Sequence, residues 1–202
     1  DASRKDILDS FISKYGITTS NINFETIGPA IGDELKKQAL LALVLANLGI
    51  LIYVSFRFEW KFGLAAVLAL IHDALIMVVL YGVMKIPVNS SFIAAILTIV
   101  GYSINDTIVV FDRIRENMKN VKKFDTVKLV DESISQTLTR SINTSLTTLL
   151  TILALYILGV PAIKDFALPL IVGIVSGTYS SIFIASPTWI LLKKKLEPKT
   201  AH

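Results

Sequence analysis

Five long apolar runs, separated by short polar segments, constrain this chain more than any other feature. A helix needs roughly 20 mostly apolar residues to cross a hydrocarbon core of about 30 Å. The runs do not alternate as barrel strands do, and lipid cannot satisfy free backbone groups, so each run must be a helix. The sequence therefore predicts an all-α polytopic membrane protein, with spans at about 39–56, 62–84, 90–111, 140–158 and 166–192.

Composition agrees with this class and excludes others. Hydrophobic residues make up 53% of the 202 residues and charged residues only 18%, whereas soluble domains average about 45–50% and about 25%. The chain has no cysteine, so disulfides and cysteine-based metal sites are excluded. Cations cluster at span ends rather than on one basic face, which argues against nucleic acid as a partner. We expect no cofactor, no metal and no enzymatic activity.

The chain divides into three predicted regions. Residues 1–32 are expected to be the C-terminal remnant of an extracytoplasmic α+β domain, because one short helix and one short strand cannot bury a core. The start lacks the pattern of a signal peptide, and we expect a preceding part of the protein to be missing. Residues 33–195 form the predicted transmembrane domain, with a cytoplasmic loop at 112–139 that includes an amphipathic surface helix. Residues 196–202 form a cytoplasmic tail.

Basic residues predict the orientation. One side of the predicted membrane domain carries Arg57 and Lys61, the many cations of residues 112–139 and the terminal lysines, whereas the opposite loops carry only Lys85 and Lys164. The positive-inside rule places the richer side in the cytoplasm. The sequence therefore predicts a multi-pass protein of the cytoplasmic membrane, with its N-terminal segment outside and its C-terminus inside.

Asp106, beside Asn105, lies within the third apolar run. A carboxylate in a span costs roughly 2.5–3.5 kcal/mol on insertion scales, so an intramembrane acid is by default a functional hypothesis. Arg140 begins the next, antiparallel span from the same side and could reach a similar depth. A neighbouring Arg favours the ionised acid and burial favours the neutral one, so their balance suits a proton carrier. A packing carboxylate and a snorkelling Arg are the plainer interpretations.

Asp73 is the deepest acid by hydropathy and follows His72 in the second run. It is either a buried hydrogen-bonded group that joins helices or a second member of a proton relay. A metal site is disfavoured, because one His and one Asp are too few ligands.

Small and polar residues mark the last two spans. Gly173, Gly177, Ser181 and Ala185 recur at every fourth position, which is typical of closely packed membrane helices. Hydroxyl and amide side chains crowd the fourth span, including Thr144, and indicate a face toward a polar interior. Asn105 and Thr144 could position water or the Asp106 carboxylate.

Several stretches together resemble the SecF members of the SecD/SecF protein-export family, within the RND superfamily. The resemblance covers nearly all of residues 25–195, and GYSINDTIVVFDRIREN at 101–117 is its most specific part. The other stretches are IGPAIGDEL at 27–35, FRFEWKFG at 56–63, His72-Asp73 and SQTLTRSINTSLTT at 135–148. The family-motif residues that we single out are Gly28, Pro29, Gly101, Asp112, Arg113, Arg115 and Glu116.

The resemblance implies a six-span RND-type bundle, of which five spans are present here. It implies that the acid matching Asp106 and the arginine matching Arg140 belong to the proton path, and it carries no role onto Asp73. The implied partners are SecD (separate or fused), the SecYEG translocon, YajC/YidC, the exported preprotein and the lipid bilayer.

The sequence thus predicts a Sec-translocon subunit that uses the proton (or sodium) motive force with SecD to assist preprotein translocation. An RND-type exporter of lipids or small molecules is the main alternative. An intramembrane aspartyl protease using Asp73 and Asp106 would need a Gly-x-Gly-Asp motif, which neither acid has. A purely structural scaffold would tolerate loss of the Asp106 charge.

Overall fold

The computed structural model describes residues 12, 29–86, 88–120 and 125–196. Cα packing divides the chain into two units, Asp1–Glu34 and Leu35–His202. Gly28 and most of the predicted domain remnant at 1–32 lie outside the described residues, as does the tail after residue 196. The fold described below is that of the second unit, together with the first turns of the helix that enters it.

The described chain is a bundle of long helices. They are α1 (Pro29–Arg57), α2 (Trp60–Met84), α3 (Ser90–Asn120), α4 (Thr126–Leu158), α5 (Pro161–Ser180) and α6 (Ser186–Leu196). A π-helical turn at Ser181–Ala185 joins α5 to α6 without a break. Within the described residues, five segments are long and apolar enough to cross a membrane, which confirms the predicted fold class: Glu34–Arg57, Trp60–Met84, Ser90–Lys119, Thr126–Leu158 and Pro161–Lys195.

Local sequence signals explain where the helices begin and end. The side chain of Asn89 accepts from Phe92 N at 3.0 Å before α3, and Asp125 accepts from Val127 N at 2.9 Å before α4. Both bonds satisfy amides that a helix start leaves free. Pro161 occupies the first turn of α5, where its missing N–H costs nothing. Lys85 ends α2 in the left-handed conformation, with φ of 55°.

Residues 112–139 differ from the predicted loop. α3 continues to Asn120, and α4 already begins at Thr126. The apolar residues that predicted a separate surface helix instead extend α4, because Leu129 and Val130 are buried in the same hydrophobic cluster as Ile114. Pro169 and Pro187 in the fifth apolar run predict breaks in its helix, but α5 runs through Pro169, and a π turn rather than a break precedes Pro187.

Two hydrophobic clusters form the core of the bundle. One is centred on Phe62, Phe111 and Trp189, and the other on Met77, Phe92 and Leu170. Trp189 stacks on Phe62 with ring centroids 4.6 Å apart, and Phe111 meets Phe62 edge-on at 4.9 Å.

α1 and α4 contribute least to this core. Only 6% of the apolar window of α1 and 11% of that of α4 are buried, against 44–50% for the other three spans. Because a membrane span needs no water-facing side, these exposed apolar surfaces fit contact with lipid or with further helices.

Candidate functional site

A layer of buried polar side chains lies on the inner faces of α2, α3, α4 and the α5–π segment. On α2 it falls between Leu70 and Met77, which belong to the two hydrophobic clusters. Two carboxylates, Asp73 and Asp106, are its only acids among the buried residues that the structure describes. The serines and threonine of the layer are Ser103, Thr107, Ser141, Ser145, Ser176, Ser180 and Ser181.

Asp106, on α3, is held by two hydroxyl groups from two other elements. Ser141 on α4 donates to its Oδ1 at 2.6 Å, and Ser181 at the start of the π turn donates to its Oδ2 at 2.6 Å. The Asp106 residue is 8% exposed. Each carboxylate oxygen therefore has one short charge-assisted bond, which offsets part of the cost of burying an ionised acid.

Asp73, on α2, is enclosed more completely and is 1% exposed. Its Oδ2 accepts from Ser103 at 2.6 Å and from Ser180 at 2.7 Å, and its Oδ1 accepts from Ser176 at 2.8 Å. The Nδ1 atom of His72 lies 3.3 Å from Oδ1. The three serine donors come from α3 and α5, so the carboxylate, itself on α2, ties three helices together.

Two of the remaining candidates, Arg140 and Asn105, lie away from the carboxylates. Arg140 directly precedes Ser141, so it shares the level of Asp106, yet it is exposed. Within the described ranges no ion pair joins Arg140 to Asp106; the two serines occupy the carboxylate oxygens instead. Asn105 is exposed on α3, and the Thr144 hydroxyl donates to the Arg140 carbonyl at 2.8 Å rather than to Asp106.

The hydrogen bonding of the two acids does not resemble that of a protease pair. Asp73 and Asp106 each accept hydrogen bonds from their own serine donors. No hydroxyl group among the residues that the structure describes donates to both acids. An aspartic dyad requires carboxylates close enough to share one proton. The geometry therefore gives no support to the aspartyl-protease alternative.

The charged family motif at the end of α3 holds the start of α4. Arg113 donates from Nε to Gln136 Oε1 at 2.6 Å and from Nη1 to Glu116 at 2.6 Å. Asn117 donates to the same Gln136 oxygen at 2.9 Å and to Ser133 at 2.8 Å.

Two further motif residues face the end of α1. Arg115 donates to the carbonyl oxygen of Arg57 at 3.0 Å, and Asp112 lies 3.7 Å from the Arg57 guanidinium. These contacts connect the end of α3 to the end of α1.

Small residues on α5 allow α3 to approach closely. A Cβ atom on Gly173 would overlap the side chain of Ile99, and one on Gly177 would lie 3.0 Å from Ser103 Cβ. Gly101 has open space around its Cα, so its place in the family motif has no packing explanation here. Ser181, the third residue of the predicted packing stripe, instead donates to Asp106. Pro29 is the first residue of α1.

The sequence interpretation missed the serine partners of both acids. Ser176 and Ser180 lie 103 and 107 residues from Asp73 along the chain. The available signal was Ser176, Ser180 and Ser181 within one apolar span, where residues four apart share a helix face.

Comparison with known proteins identifies the family of this chain. The family profile described as "Protein export membrane protein SecD/SecF, C-terminal" matches residues 7–195. The chain belongs to the SecD/SecF family. Among curated relatives, the SecF subunit of Helicobacter pylori strain 26695 is 50% identical over 169 residues, which cover 84% of this chain and 52% of that protein. The SecDF protein of Thermus thermophilus is 52% identical over 178 residues, covering 88% of this chain and 24% of the relative.

Two solved SecDF structures have the same fold as this chain over the aligned region. The crystal structure of Thermus thermophilus SecDF, a translocon-associated membrane protein, aligns with a TM-score of 0.81 and 46% identity, covering 96% of this chain and 27% of that one. A second SecDF structure, in a super-membrane-facing form, aligns with a TM-score of 0.80. This chain spans about half the length of the curated SecF relatives that it matches. It is a multi-pass membrane protein of the cell membrane.

Proposed function

We propose that this chain is the membrane-domain part of a SecF-type subunit, which uses the proton motive force to assist the translocation of preproteins. The observation that carries the proposal is Asp106, a buried carboxylate that accepts hydrogen bonds from hydroxyl groups on two other elements of the fold. The chain belongs to a family whose relatives are named protein translocase subunits. Those names favour protein export over the export of lipids or small molecules. They also support a transport component, and that the chain has no enzymatic activity is part of the same proposal.

Asp106 can exist in two hydrogen-bonding states. The ionised carboxylate accepts from Ser141 and Ser181. A protonated carboxyl group must donate at one oxygen, so one of these serines has to become the acceptor. Ser181 can do this, because its Oγ also lies 3.0 Å from the carbonyl oxygen of Thr178, toward which its own hydrogen can turn. Binding and release of a proton would therefore rearrange contacts between α3 and the π turn.

The proton is the ion that this site suits. Both hydroxyl groups point their hydrogens toward the carboxylate, and a single carboxyl group needs no further ligand to bind a proton. Moving one charge through the membrane field yields roughly 2.3 kcal/mol per 100 mV. That energy can bias a two-state outer domain by about fifty-fold per ion. Sodium is the alternative ion, and it would need additional oxygen ligands around Asp106.

The exposed polar face of α4 that contains Arg140 suggests that another protein covers it. Arg140, Asn143, Thr147 and Thr151 are all exposed on this helix, although a polar surface toward lipid is costly. We propose that SecD, separate or fused, covers this face and lets Arg140 act on the proton path. Membership of the SecYEG translocon, contact with preprotein and contact with YajC/YidC belong to the same proposal. So does the orientation with the C-terminus in the cytoplasm, for which the positive-inside rule is the support.

Export in membrane vesicles tests the proposal. The full-length protein with its SecD partner would be compared with Asp106→Asn and with Asp131→Asn, an exposed acid near the start of α4. We expect Asp106→Asn to abolish the stimulation of preprotein export by the proton motive force, while Asp131→Asn retains it. Unchanged stimulation in an assembled Asp106→Asn complex would refute the carrier role and leave a scaffold.

A further inference from the structure

Asp73 is a buried acid that the proposed function leaves without a role. Three hydroxyl groups and His72 surround its carboxylate, and the residue is 1% exposed. If the residue served packing alone, an apolar side chain would fill the position at a lower free-energy cost, because a buried ionisable group carries a desolvation cost. An enclosed carboxylate inside a span is therefore a candidate binding site in its own right.

Consecutive residues connect Asp73 to Asp106. Ser180 donates to Asp73 Oδ2 at 2.7 Å, and Ser181 donates to Asp106 Oδ2 at 2.6 Å. A second connection runs through α3, where Ser103 donates to Asp73 and lies one helical turn before Asp106. The two carboxylates thus share neighbours on both α3 and the α5–π segment.

Both bridging hydroxyl groups have an alternative acceptor on their own helix. Ser180 Oγ lies 3.2 Å from the carbonyl oxygen of Gly177, and Ser181 Oγ lies 3.0 Å from that of Thr178. When a carboxyl group takes a proton from water, its serine accepts that hydrogen and turns its own toward the helix carbonyl. Each serine can therefore follow the protonation state of its acid without leaving a hydrogen bond unmade.

The link lies at the one irregular point of the fifth span. The π turn begins at Ser181, and Ser186 donates across it to the carbonyl oxygen of Ser181 at 3.2 Å. Single π turns inside membrane or soluble helices are frequent at functional sites, because they shift the register of the residues that follow. A hydroxyl rearrangement at Ser181 therefore acts on backbone that is already off the regular α-helical ladder.

Few other titratable groups lie next to residues of this layer along the chain or contact it. His72 stands on α2 beside Asp73, Tyr102 lies on α3, Arg140 on α4 precedes Ser141, and Tyr179 on α5 precedes Ser180. The hydroxyl of Tyr102 donates to Thr148, and the ring of Tyr179 lies 6.1 Å from that of His72. In the described part of the chain, His72 alone of these groups comes within 4 Å of a carboxylate as an ion-pair partner.

We propose that Asp73 is a second proton-binding site, whose protonation is coupled to that of Asp106 through Ser180 and Ser181. The proposal rests on the proposed function for its use in export, but the coupling itself is a property of the two sites. Two like charges that share neighbours disfavour each other. Loss of the Asp73 charge should therefore make Asp106 hold its proton less tightly.

Carbodiimide labelling tests the coupling. Dicyclohexylcarbodiimide reacts with protonated carboxyl groups in apolar surroundings, and mass spectrometry of peptides quantifies Asp73 and Asp106 separately. In membranes containing the full-length complex, we expect both acids to be labelled in a pH-dependent manner. Asp73→Asn should move the pH of half-maximal labelling at Asp106 downward by about half a unit or more, which is about a threefold change in proton binding. Ser133→Ala, which removes a buried hydroxyl near the start of α4 beside Asn117, should leave both curves unchanged.

Two results would overturn the coupling. One is an Asp73 that stays unlabelled at every pH, and the other is an Asp106 curve that Asp73→Asn does not move. If Asp73→Asn fails to accumulate, Ser180→Ala makes the same test, because Asp73 keeps the Ser103 and Ser176 donors. Ser180→Ala should raise the pH of half-maximal labelling at Asp73 and shift the Asp106 curve; an unchanged Asp106 curve would again refute the coupling.

The two proposals can fail separately. Export that depends on Asp106, together with an Asp106 labelling curve insensitive to Asp73→Asn, would retain the proposed function and reject the coupling. Coupled labelling curves with export indifferent to Asp106 would retain the coupling and reject the proposed function.

Discussion

Ser180 and Ser181 are adjacent in the chain, yet their hydroxyl groups donate to carboxylates on two different helices, Asp73 on α2 and Asp106 on α3. Consecutive residues of a helix point about 100° apart, so one segment can contact two neighbouring helices at the same level. The fifth span therefore helps to position the two acids relative to each other.

Removal of the Ser181 hydroxyl should weaken export. In Ser181→Ala, Asp106 Oδ2 loses its donor, and hydrogen bonds to charged groups are worth about 1.5–3 kcal/mol. We expect the export rate driven by the proton motive force to fall by about tenfold or more in membrane vesicles. Ser145→Ala is the matched control, because this buried serine contacts Thr178 and neither carboxylate. Equal rates in the two variants would mean that the Ser181 bond to Asp106 has no functional weight.

Addition of a methyl group at Gly173 should separate α3 from α5. The new Cβ would overlap three carbons of Ile99, so the helices must shift. Overpacking of this kind costs typically about 1–3 kcal/mol. We expect Gly173→Ala to lower the thermal unfolding midpoint of the purified complex. Gly49→Ala, which has open space around its Cα, should leave it unchanged or raise it, because Ala favours the helix. A Gly173→Ala complex as stable as wild type would show that the close approach is not needed.

How much of this site the sequence could predict depends on the distance between partners along the chain. The apolar runs that identify the spans are continuous stretches of sequence. Asp106 can be recognised in the sequence because a charge within such a run is costly. Its partners are not local: Ser141 and Ser181 lie 35 and 75 residues away. The rotation of each helix decides which residues meet, and the sequence does not specify that rotation.

Arg140 also shows that the sequence does not specify the rotation of a helix, here for a residue that the sequence predicts to meet Asp106. Topology predicts that Arg140 begins its apolar run near the level of Asp106, and the next residue, Ser141, contacts that acid. One residue is a rotation of about 100° on a helix, which turns Arg140 to the exposed face of α4.

Trp189 offers a test of the core that is independent of the ionisable site. Its ring stacks on Phe62, but its buried Nε1 has no hydrogen-bond partner among the residues that the structure describes. A buried donor without a partner costs about 1–3 kcal/mol, so Trp189→Phe loses contact area while it removes that penalty. We expect Trp189→Phe to destabilise the protein clearly less than Trp189→Ala does, because removal of the unpaired donor offsets part of the lost contact area. Trp189→Ala should cost about 3–5 kcal/mol.

Denaturant unfolding of the complex in detergent measures both Trp189 variants. A Trp189→Phe change as damaging as Trp189→Ala would mean that the indole N–H does have a partner in the assembled protein.

Whether Asp106 carries a proton is tested most directly by proton uptake into liposomes that contain the full-length complex. A membrane potential, negative inside, would be imposed in sodium-free buffer, and an enclosed pH indicator would record proton entry. We predict that Asp106→Asn reduces potential-driven entry to the leak of protein-free liposomes, while Asp131→Asn conducts as wild type does. Proton entry at the wild-type rate in the Asp106→Asn complex would contradict the carrier role.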